Sequence, residues 1–268
     1  MVRSGRSSSF APTGHSSHGL RVATYNIHKG VRGLGPAKRL EIHNLGQGIA
    51  SLEADLVFLQ EVRLFHAVEA RQFQRSKLGW PDEGQAEFLA PEGYSAAYRT
   101  NAVTRHGEHG NALLSRWPIG DIGHQDVSDH RFEQRGLLHV PVIWRGLKLH
   151  AVVAHLGLIH SSRMRQVQKL AEFIAAEVPA GEPLLVAGDF NDWGERLDGP
   201  MQGLGLRRAL APHGRSASRV TFPSRVPVFA LDRVYMRGFR CLASMVPHGV
   251  AWARMSDHLP LVVELEPL

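Results

Sequence analysis

The chain has 268 residues, of which 43% are hydrophobic and 21% charged, and it carries a formal net charge of +6. This composition is typical of a globular protein with a sizeable core, and no apolar run approaches the roughly 20 residues that a transmembrane helix needs. The basic balance favours a polyanionic partner, such as nucleic acid, anionic lipid headgroups or a phosphorylated small molecule. The single cysteine, Cys241, excludes an intrachain disulfide and predicts a reducing, cytoplasmic location. Cys241 itself is expected to be a small buried residue on a strand.

Residues 1–19 are basic and rich in Ser and Gly. They lack the apolar stretch of a secretory signal and cannot support a packed core, so the sequence predicts a flexible basic tail. Residues 20–268 contain no internal repeat and no linker rich in Pro and Gly. We therefore expect this part of the chain to form a single domain.

Short runs of β-forming residues follow one another along the predicted domain. They cover residues 20–27, 55–62, 110–115, 136–144, 147–156, 183–190, 231–236 and 259–266. Several of these runs are almost continuously apolar, as expected for central strands that are buried on both faces. Apolar residues at helical spacing predict helices over 36–53 and 162–178, and residues 65–78 are a weaker third candidate. Many strands with few helices indicate two sheets packed face to face, with the helices outside.

Polar residues lie at the ends of these predicted strands. They are Asn26, Glu61, His155, Asp189, Asn191, Asp257 and His258. Loops that leave the ends of a rigid sheet commonly hold catalytic groups, and carboxylate and amide oxygens that converge there would bind a hard cation such as Mg²⁺. Each position alone has a simpler explanation, since Gly, Asp and Asn favour turns. In GDFND (188–192), however, alternation predicts that Asp189 and Asn191 share one side while Phe190 enters the core.

Seven motifs in a fixed order carry a resemblance to a known family. They are TYNIH (24–28), LQEV (59–62), GNALLSR (110–116), AHLG (154–157), GDFND (188–192), LDRVY (231–235) and SDHLP (256–260). The set resembles the DNase I-like endonuclease/exonuclease/phosphatase superfamily over about residues 20–266. The residues of these motifs, together with NIHKG (26–30) and TFP (221–223), are similar to those of a bacterial YbhP-like subgroup. The resemblance implies a four-layered α/β sandwich of two mainly antiparallel sheets, with the site at one rim.

The resemblance also implies a divalent-metal-dependent phosphoesterase, in which an activated water attacks phosphorus in line. The implied cofactor is Mg²⁺ or Mn²⁺, and the implied metal ligands are Asn26, Glu61 and Asp257. The implied catalytic residues are His155, Asp189, Asn191, Asp232 and His258. Asp232 would fix the ring of His258, and either Asp189 or His258 would be the general base. The residues predicted at the rim, near the substrate, are His28, Asn111 and Arg163, with a structural role as the alternative for Asn111 and a surface ion pair for Arg163.

Three substrate classes remain open: nucleic acid, a lipid headgroup and a small phosphorylated metabolite. A DNA-acting enzyme predicts a basic rim with aromatic residues. A lipid-acting enzyme predicts exposed apolar loops, for which residues 223–230 are a candidate, although Val228 and Phe229 are expected to pack into the core. The rival from another class is a non-catalytic binding module, which predicts gaps in the polar set, whereas every motif position is filled. A monomer is the favoured oligomeric state.

Overall fold

The computed structural model describes residues 19–33, 35–74, 79–130, 133–211 and 219–268. The predicted tail lies outside these ranges up to residue 18. The described strands are β1 (Leu20–Asn26), β2 (Val31–Arg32), β3 (Arg39–Leu40), β4 (Leu56–His66), β5 (Ser95–Thr104), β6 (Gly107–Ser115), β7 (Gly123–Asp126), β8 (Gly136–Trp144), β9 (Leu147–His155), β10 (Leu184–Asp189), β11 (Arg207–Arg208), β12 (Asp232–Arg237), β13 (Phe239–Met245) and β14 (Leu261–Pro267). The described α-helices are α1 (Ile42–Ser51), α2 (Ala67–Phe73), α3 (Gln85–Leu89), α4 (His160–Glu177), α5 (Asp198–Gly203) and α6 (Trp252–Met255).

Most of the strands belong to two six-stranded sheets. The first sheet has the order β13-β14-β1-β4-β6-β5, and the second has the order β11-β12-β10-β9-β8-β7. Each sheet contains one parallel pair, β1 with β4 and β9 with β10, and its other neighbouring strands are antiparallel. The prediction of two mainly antiparallel sheets is therefore confirmed.

Three hydrophobic clusters arrange the chain in four layers. The first cluster lies between the sheets and includes Val22 from one sheet and Val153 from the other. The second joins α1, through Leu45, to the outer face of the first sheet. The third joins α4, through Leu170, to the outer face of the second sheet. These layers form the predicted α/β sandwich with helices outside.

The buried strand β9 shows why its sequence is almost continuously apolar. Ala151 and Val153 belong to the cluster between the sheets, whereas Val152 and Ala154 belong to the cluster beneath α4. Side chains alternate between the two faces of a strand. Because both faces of β9 are covered, both alternating sets must be apolar.

All eight predicted β runs lie on strands of the two sheets. Within the two sheets the predictions missed β5, β7, β11 and β13, which are edge strands with exposed side chains and therefore have a weaker apolar pattern. The helix predicted over 36–53 is shortened to α1, because residues 35–40 form a 3₁₀ turn and strand β3. The weak candidate over 65–78 contains α2, and its residues 75–78 lie outside the described ranges. Cys241 is buried on β13, as predicted. Within the described ranges, no helix is long and apolar enough to cross a membrane.

Candidate active site

The ends of several strands meet at one edge of the sandwich. Asp189, the last residue of β10, pairs with His155 of the parallel strand β9 and with Asp232 of the antiparallel strand β12. Adjacent strands are about 4.8 Å apart, so these three residues lie side by side. Asn26 ends β1 in the other sheet, and its Nδ2 donates to Oδ2 of Asp189 at 3.1 Å. The site therefore spans both sheets.

A bulge in β4 contributes Glu61 to the same edge. Leu59 pairs with Ala112 and Val62 with Gly110, so two residues of β4 lie opposite one residue of β6. The backbone φ of Glu61 is +56°, in the left-handed region that is costly for a residue with a Cβ. Other non-glycine residues at this edge with positive φ are His28, Lys29 and Asn191. Strain of this kind persists only where the surrounding structure holds it, and it clusters at functional sites.

The buried carboxylate of Asp189 lies at the centre of the site. Its Oδ1 accepts a hydrogen bond from the backbone N–H of Asn191 at 2.9 Å, and its Oδ2 accepts from Asn26. The Nε2 atoms of His155 and His258 each lie 3.6 Å from the same Oδ2. Burial raises the pKa of Asp189 above its ordinary value. The carboxylate is thus a stronger base than an exposed aspartate, which suits proton abstraction from water.

A second buried carboxylate fixes the ring of His258. Nδ1 of His258 lies 2.8 Å from Oδ2 of Asp232, which also accepts a hydrogen bond from Oγ1 of Thr221 at 2.5 Å. Burial alone would lower the pKa of His258, but the carboxylates of Asp232 and Asp189 outweigh it and raise the pKa to about 10. The ring is therefore an imidazolium at neutral pH, with a fixed orientation.

The other histidine of the site, His155, differs from His258 in charge. Burial, together with the Arg135 guanidinium, holds the pKa of His155 well below its usual range. Its ring is neutral at pH 7 and has one N–H to donate.

Asn191 holds the loops after β9 and β10 together, because its Nδ2 donates to the carbonyl of Leu156 at 3.0 Å. Phe190 is fully buried, as the alternation in GDFND predicts.

Two further carboxylates at this edge are suited to a cation. Nδ1 of His28 lies 3.4 Å from Oδ2 of Asp257 and 3.9 Å from Oε2 of Glu61, so a single imidazole lies between these carboxylates. Nζ of Lys29 lies 2.6 Å from Oε2 of Glu61. The predicted third ligand, Asn26, accepts the backbone N–H of His28 on its Oδ1 at 3.1 Å. Carboxylate and amide oxygens are the donors that Mg²⁺ and Mn²⁺ prefer, so the residues fit such an ion.

A second group with metal-ligand spacing consists of Asp189, Asp232 and His258, whose candidate ligand atoms all lie within 4.8 Å of one another. A metal ligand must be a deprotonated nitrogen or oxygen. In His258, Nδ1 is occupied by Asp232, and the raised pKa keeps the ring protonated. The carboxylates of Asp189 and Asp232 in this group also have the oxygen donors of a cation site.

The three residues predicted at the rim occupy different positions. His28 is half-buried and lies in the mouth of the site. Asn111 is fully buried, and its Nδ2 donates to main-chain oxygens of β8 and β9 at 2.9 and 3.2 Å, so it joins the two sheets. Arg163 is also buried, and its guanidinium donates to the carbonyl of Leu158 at 2.7 Å. The surface ion pair expected as the alternative for Arg163 is wrong, because its guanidinium is buried, donates to carbonyls of the loop after β9 and lies 3.9 Å from Oδ1 of the buried Asp192.

Sequence reasoning missed a buried ion pair beneath the site. Arg233 has no exposed surface, and one of its nitrogens donates to Oδ2 of Asp192 at 2.8 Å while another donates to the Asp192 carbonyl at 3.0 Å. Because Asp192 directly follows Asn191, this pair anchors the loop that leaves β10. The signal was present as the second acid of GDFND and the arginine of LDRVY, two charged residues beside buried strands.

Exposed apolar side chains occur on the three loops that follow β9, follow β10 and precede β12. They are Leu158, Ile159, Trp193, Val226, Val228 and Phe229. The ring of Phe222 lies 4.9 Å from that of His258, and Trp193 contacts Phe229 at 4.8 Å between centroids. Val228 is 56% exposed and Phe229 is 37% exposed, so the expected packing of both into the core is wrong. The reason is a bridge between Phe222 and Phe229, which folds this loop back on itself at the surface.

The two-sheet sandwich carries a carboxylate–imidazole site at its edge. The family model described as the Endonuclease/Exonuclease/phosphatase family matches residues 23–258, and the chain belongs to that family. It is 38% identical over 251 residues to the uncharacterized protein YbhP of Escherichia coli K12, an alignment that covers 92% of this chain and 96% of YbhP.

Solved structures of the same fold are more distant in sequence. A mannosyl-6-phosphatase from Bacteroides thetaiotaomicron has a TM-score of 0.64 and 18% identity, over 92% of this chain and 99% of that one. D. rerio TDP2, complexed with a single-strand DNA product, has a TM-score of 0.62 and 16% identity, over the same shares. These likenesses establish the fold.

Proposed function

We propose that the protein is a divalent-metal-dependent phosphoesterase that hydrolyses a phosphate ester by in-line attack of an activated water. The observation that carries the proposal is the buried carboxylate of Asp189, whose Oδ2 lies 3.6 Å from Nε2 of both His155 and His258. A base, a neutral donor and a cation are thereby held around one point, which are the groups that phosphoryl transfer needs. Mg²⁺ or Mn²⁺, held by Glu61 and Asp257 with Asn26 beside them, would neutralise phosphate charge and stabilise the leaving oxygen.

Each residue of the centre has a role that follows from its charge. Asp189 is the general base, since burial raises its pKa and hydrogen bonds from Asn26 and Asn191 orient its two oxygens. His258 is a cationic clamp on a non-bridging oxygen rather than a base, because its raised pKa keeps it protonated. His155 donates its neutral N–H to a second non-bridging oxygen. These assignments divide between Asp189 and His258 the roles that the sequence left open.

Supporting residues keep these groups in place. Asp232 fixes the ring orientation and the charge of His258. Asn191 holds the loops after β9 and β10 together and has a second amide N–H for the phosphate. A non-catalytic binding module is not favoured, since the polar positions of the family motifs are filled and converge on one edge. Cytoplasmic location, a monomeric state and a single domain over residues 20–268 remain part of this proposal.

The residues around the mouth favour an ester with an apolar leaving group, such as a lipid headgroup ester, over a long nucleic acid. Trp193 and Phe229 are exposed and contact each other, and Trp193 also contacts Phe222, which lies beside His258. Two nearby arginines are engaged within the fold: Arg135 donates to the carbonyl of Leu156, and Arg32 donates to the carbonyl of Ala253 at 2.6 Å. Guanidinium groups held by carbonyls are poor partners for a polyphosphate backbone. A small sugar phosphate, as the likeness to a mannosyl-6-phosphatase suggests, is the next candidate.

The reaction class is tested with bis-p-nitrophenyl phosphate and p-nitrophenyl phosphate, with added Mg²⁺ or Mn²⁺ and after EDTA treatment. We expect hydrolysis that requires added metal, and a loss of about 10³-fold or more in the variant Asp189→Asn. Asp126→Asn is the matched control, since this exposed aspartate belongs to an edge strand. Full activity in EDTA would refute the metal requirement, and wild-type turnover by Asp189→Asn would refute the assigned base.

The substrate class is tested by offering phospholipid vesicles, single-stranded DNA and sugar phosphates to the same metal-loaded enzyme. We expect the highest kcat/KM on the lipid. The double variant Trp193→Ser with Phe229→Ser should lower activity on vesicles and leave activity on bis-p-nitrophenyl phosphate unchanged. A preference for DNA or sugar phosphate would reject the lipid class without affecting the reaction class.

A further inference from the structure

The cation site on Glu61 already contacts a positive charge of the chain itself. Nζ of Lys29 lies 2.6 Å from Oε2 of Glu61, at the same carboxylate that is the first candidate to hold a divalent ion. The lysine side chain is 28% exposed and that of Glu61 is 17% exposed, so the pair is only partly open to water. An ammonium this close to Oε2 competes with a divalent ion for the same carboxylate oxygen.

The backbone around Lys29 aims its side chain at Glu61. Lys29 has φ +62° and lies in a single 3₁₀ turn between His28 and Gly30, both of which also have positive φ. Nε2 of Gln85 donates to the Lys29 carbonyl at 2.9 Å, and a Cβ at Gly30 would approach this same Nε2 to 2.6 Å. The strained turn is therefore clamped from one side by a buried glutamine.

The same turn is tied to the rest of the site by its main chain. The N–H of His28 donates to Oδ1 of Asn26, and the Gly30 carbonyl accepts the N–H of Glu41 at 2.9 Å. A lysine placed for a surface ion pair alone would not need a left-handed backbone held at three points. The geometry indicates that the position of the ammonium is built into the fold.

We propose that Lys29 is a tethered counter-cation that occupies the divalent-cation position on Glu61 and is displaced when the ion binds. This inference rests on the proposed function, because it takes Glu61 as a metal ligand. It predicts two properties of this chain. The metal-free protein is stabilised by the lysine, since a partly buried carboxylate keeps a partner, and the ion binds more weakly than it would to the same carboxylates without the lysine.

The test measures metal binding rather than turnover. Mg²⁺ is titrated calorimetrically into EDTA-treated wild-type protein and the variants Lys29→Met and Lys29→Arg, and Tm is recorded with and without the ion. We expect the Kd of Lys29→Met to be about tenfold lower than that of the wild type, as for the loss of a partly buried competing pair. Its metal-free Tm should fall, and its rise in Tm on adding Mg²⁺ should be larger. Lys29→Arg, which keeps the charge, should resemble the wild type.

The chain offers a control for the loss of a lysine–glutamate contact in Lys38, whose partner Glu69 also pairs with Arg63. Nζ of Lys38 lies 2.6 Å from Oε1 of Glu69, and its side chain is also 28% exposed. Lys38→Met should lower Tm and leave the Kd for Mg²⁺ unchanged. The difference between Lys29→Met and the wild type should persist in about 1 M KCl, where the Debye length of about 3 Å screens distant charges.

The possible failures are distinguishable. An unchanged or higher Kd for Mg²⁺ in Lys29→Met overturns the counter-cation role. A Kd that is lower than that of the wild type only at low salt also overturns it, because the difference would then reflect a distant charge effect. No binding heat and no Tm shift in either the wild type or Lys29→Met overturns the metal dependence of the proposed function, and with it this inference.

Discussion

The buried pair of Arg233 and Asp192 allows a quantitative test of how the loop after β10 is held. Neither side chain has exposed surface, and the guanidinium also donates to the hydroxyl of Tyr235 and the carbonyl of Ala230. Replacing Arg233 by Met keeps much of the volume but removes the cation that donates directly to the buried Asp192 carboxylate, and leaves only Arg163, 3.9 Å from its Oδ1, as a charged neighbour. Removing one partner of such a pair costs about 3–5 kcal/mol, a large part of the roughly 5–15 kcal/mol that stabilises a typical domain.

The assay is equilibrium unfolding in urea, monitored by tryptophan fluorescence and circular dichroism. The double variant with Asp192→Asn should recover part of the loss, because the unpaired charge is gone, with a coupling energy of about 1–3 kcal/mol. Arg240→Met is the matched control, since Arg240 pairs with Glu266 on an exposed edge strand, and should cost less than about 1 kcal/mol. The reasoning is refuted if Arg233→Met and Arg240→Met lose the same stability, or if the double variant loses the sum of its parts.

Two further predictions concern pH. The variant Asp232→Asn removes the carboxylate that contributes most to the high pKa of His258. Because His258 must be protonated to bind the phosphate, the alkaline limit of kcat/KM should move from near pH 10 to lower pH by about one unit or more. An unmoved limit would exclude the role of His258 as a cationic clamp. Burial, and the neighbouring His150, lower the pKa of His139 to about 4. The unfolded state, with a pKa of about 6.5, binds more protons below that value, so stability is complete above pH 6.5 and is lost as the pH falls towards 4. The variant His139→Leu should lose about 1–3 kcal/mol less stability than the wild type on acidification, measured by urea titrations at several pH values. The variant His248→Leu, at an exposed position, is the control. The same dependence of stability on pH in both variants would contradict the role given to His139.

The elements that cross the core were readable from sequence. Strand β9 must be apolar on both faces because one face meets the other sheet and the other meets α4. Alternation alone likewise places Phe190 in the core between two polar neighbours. Edge strands such as β5 and β13 gave no comparable signal, because one long side of each faces solvent and tolerates polar residues.

The candidate site was readable as a set of residue types at strand ends, although their contacts were not. Only the pairing of β10 with its two neighbours brings His155, Asp189 and Asp232 side by side. The different charge states of His155 and His258 depend on which carboxylates and arginines are buried around each ring. No local sequence pattern encodes these neighbours.

The sequence by itself determined the family, the order of the strands along the chain and the chemistry available at their ends, because these depend on periodicity and on residue types in local motifs. The tertiary structure alone decided that Arg163 is buried beneath a loop and that Lys29 contacts Glu61. The contact between Lys29 and Glu61 joins residues 32 positions apart. Such contacts follow from sheet pairing, from a β-bulge and from a strained turn, which are long-range geometric facts that local patterns do not carry.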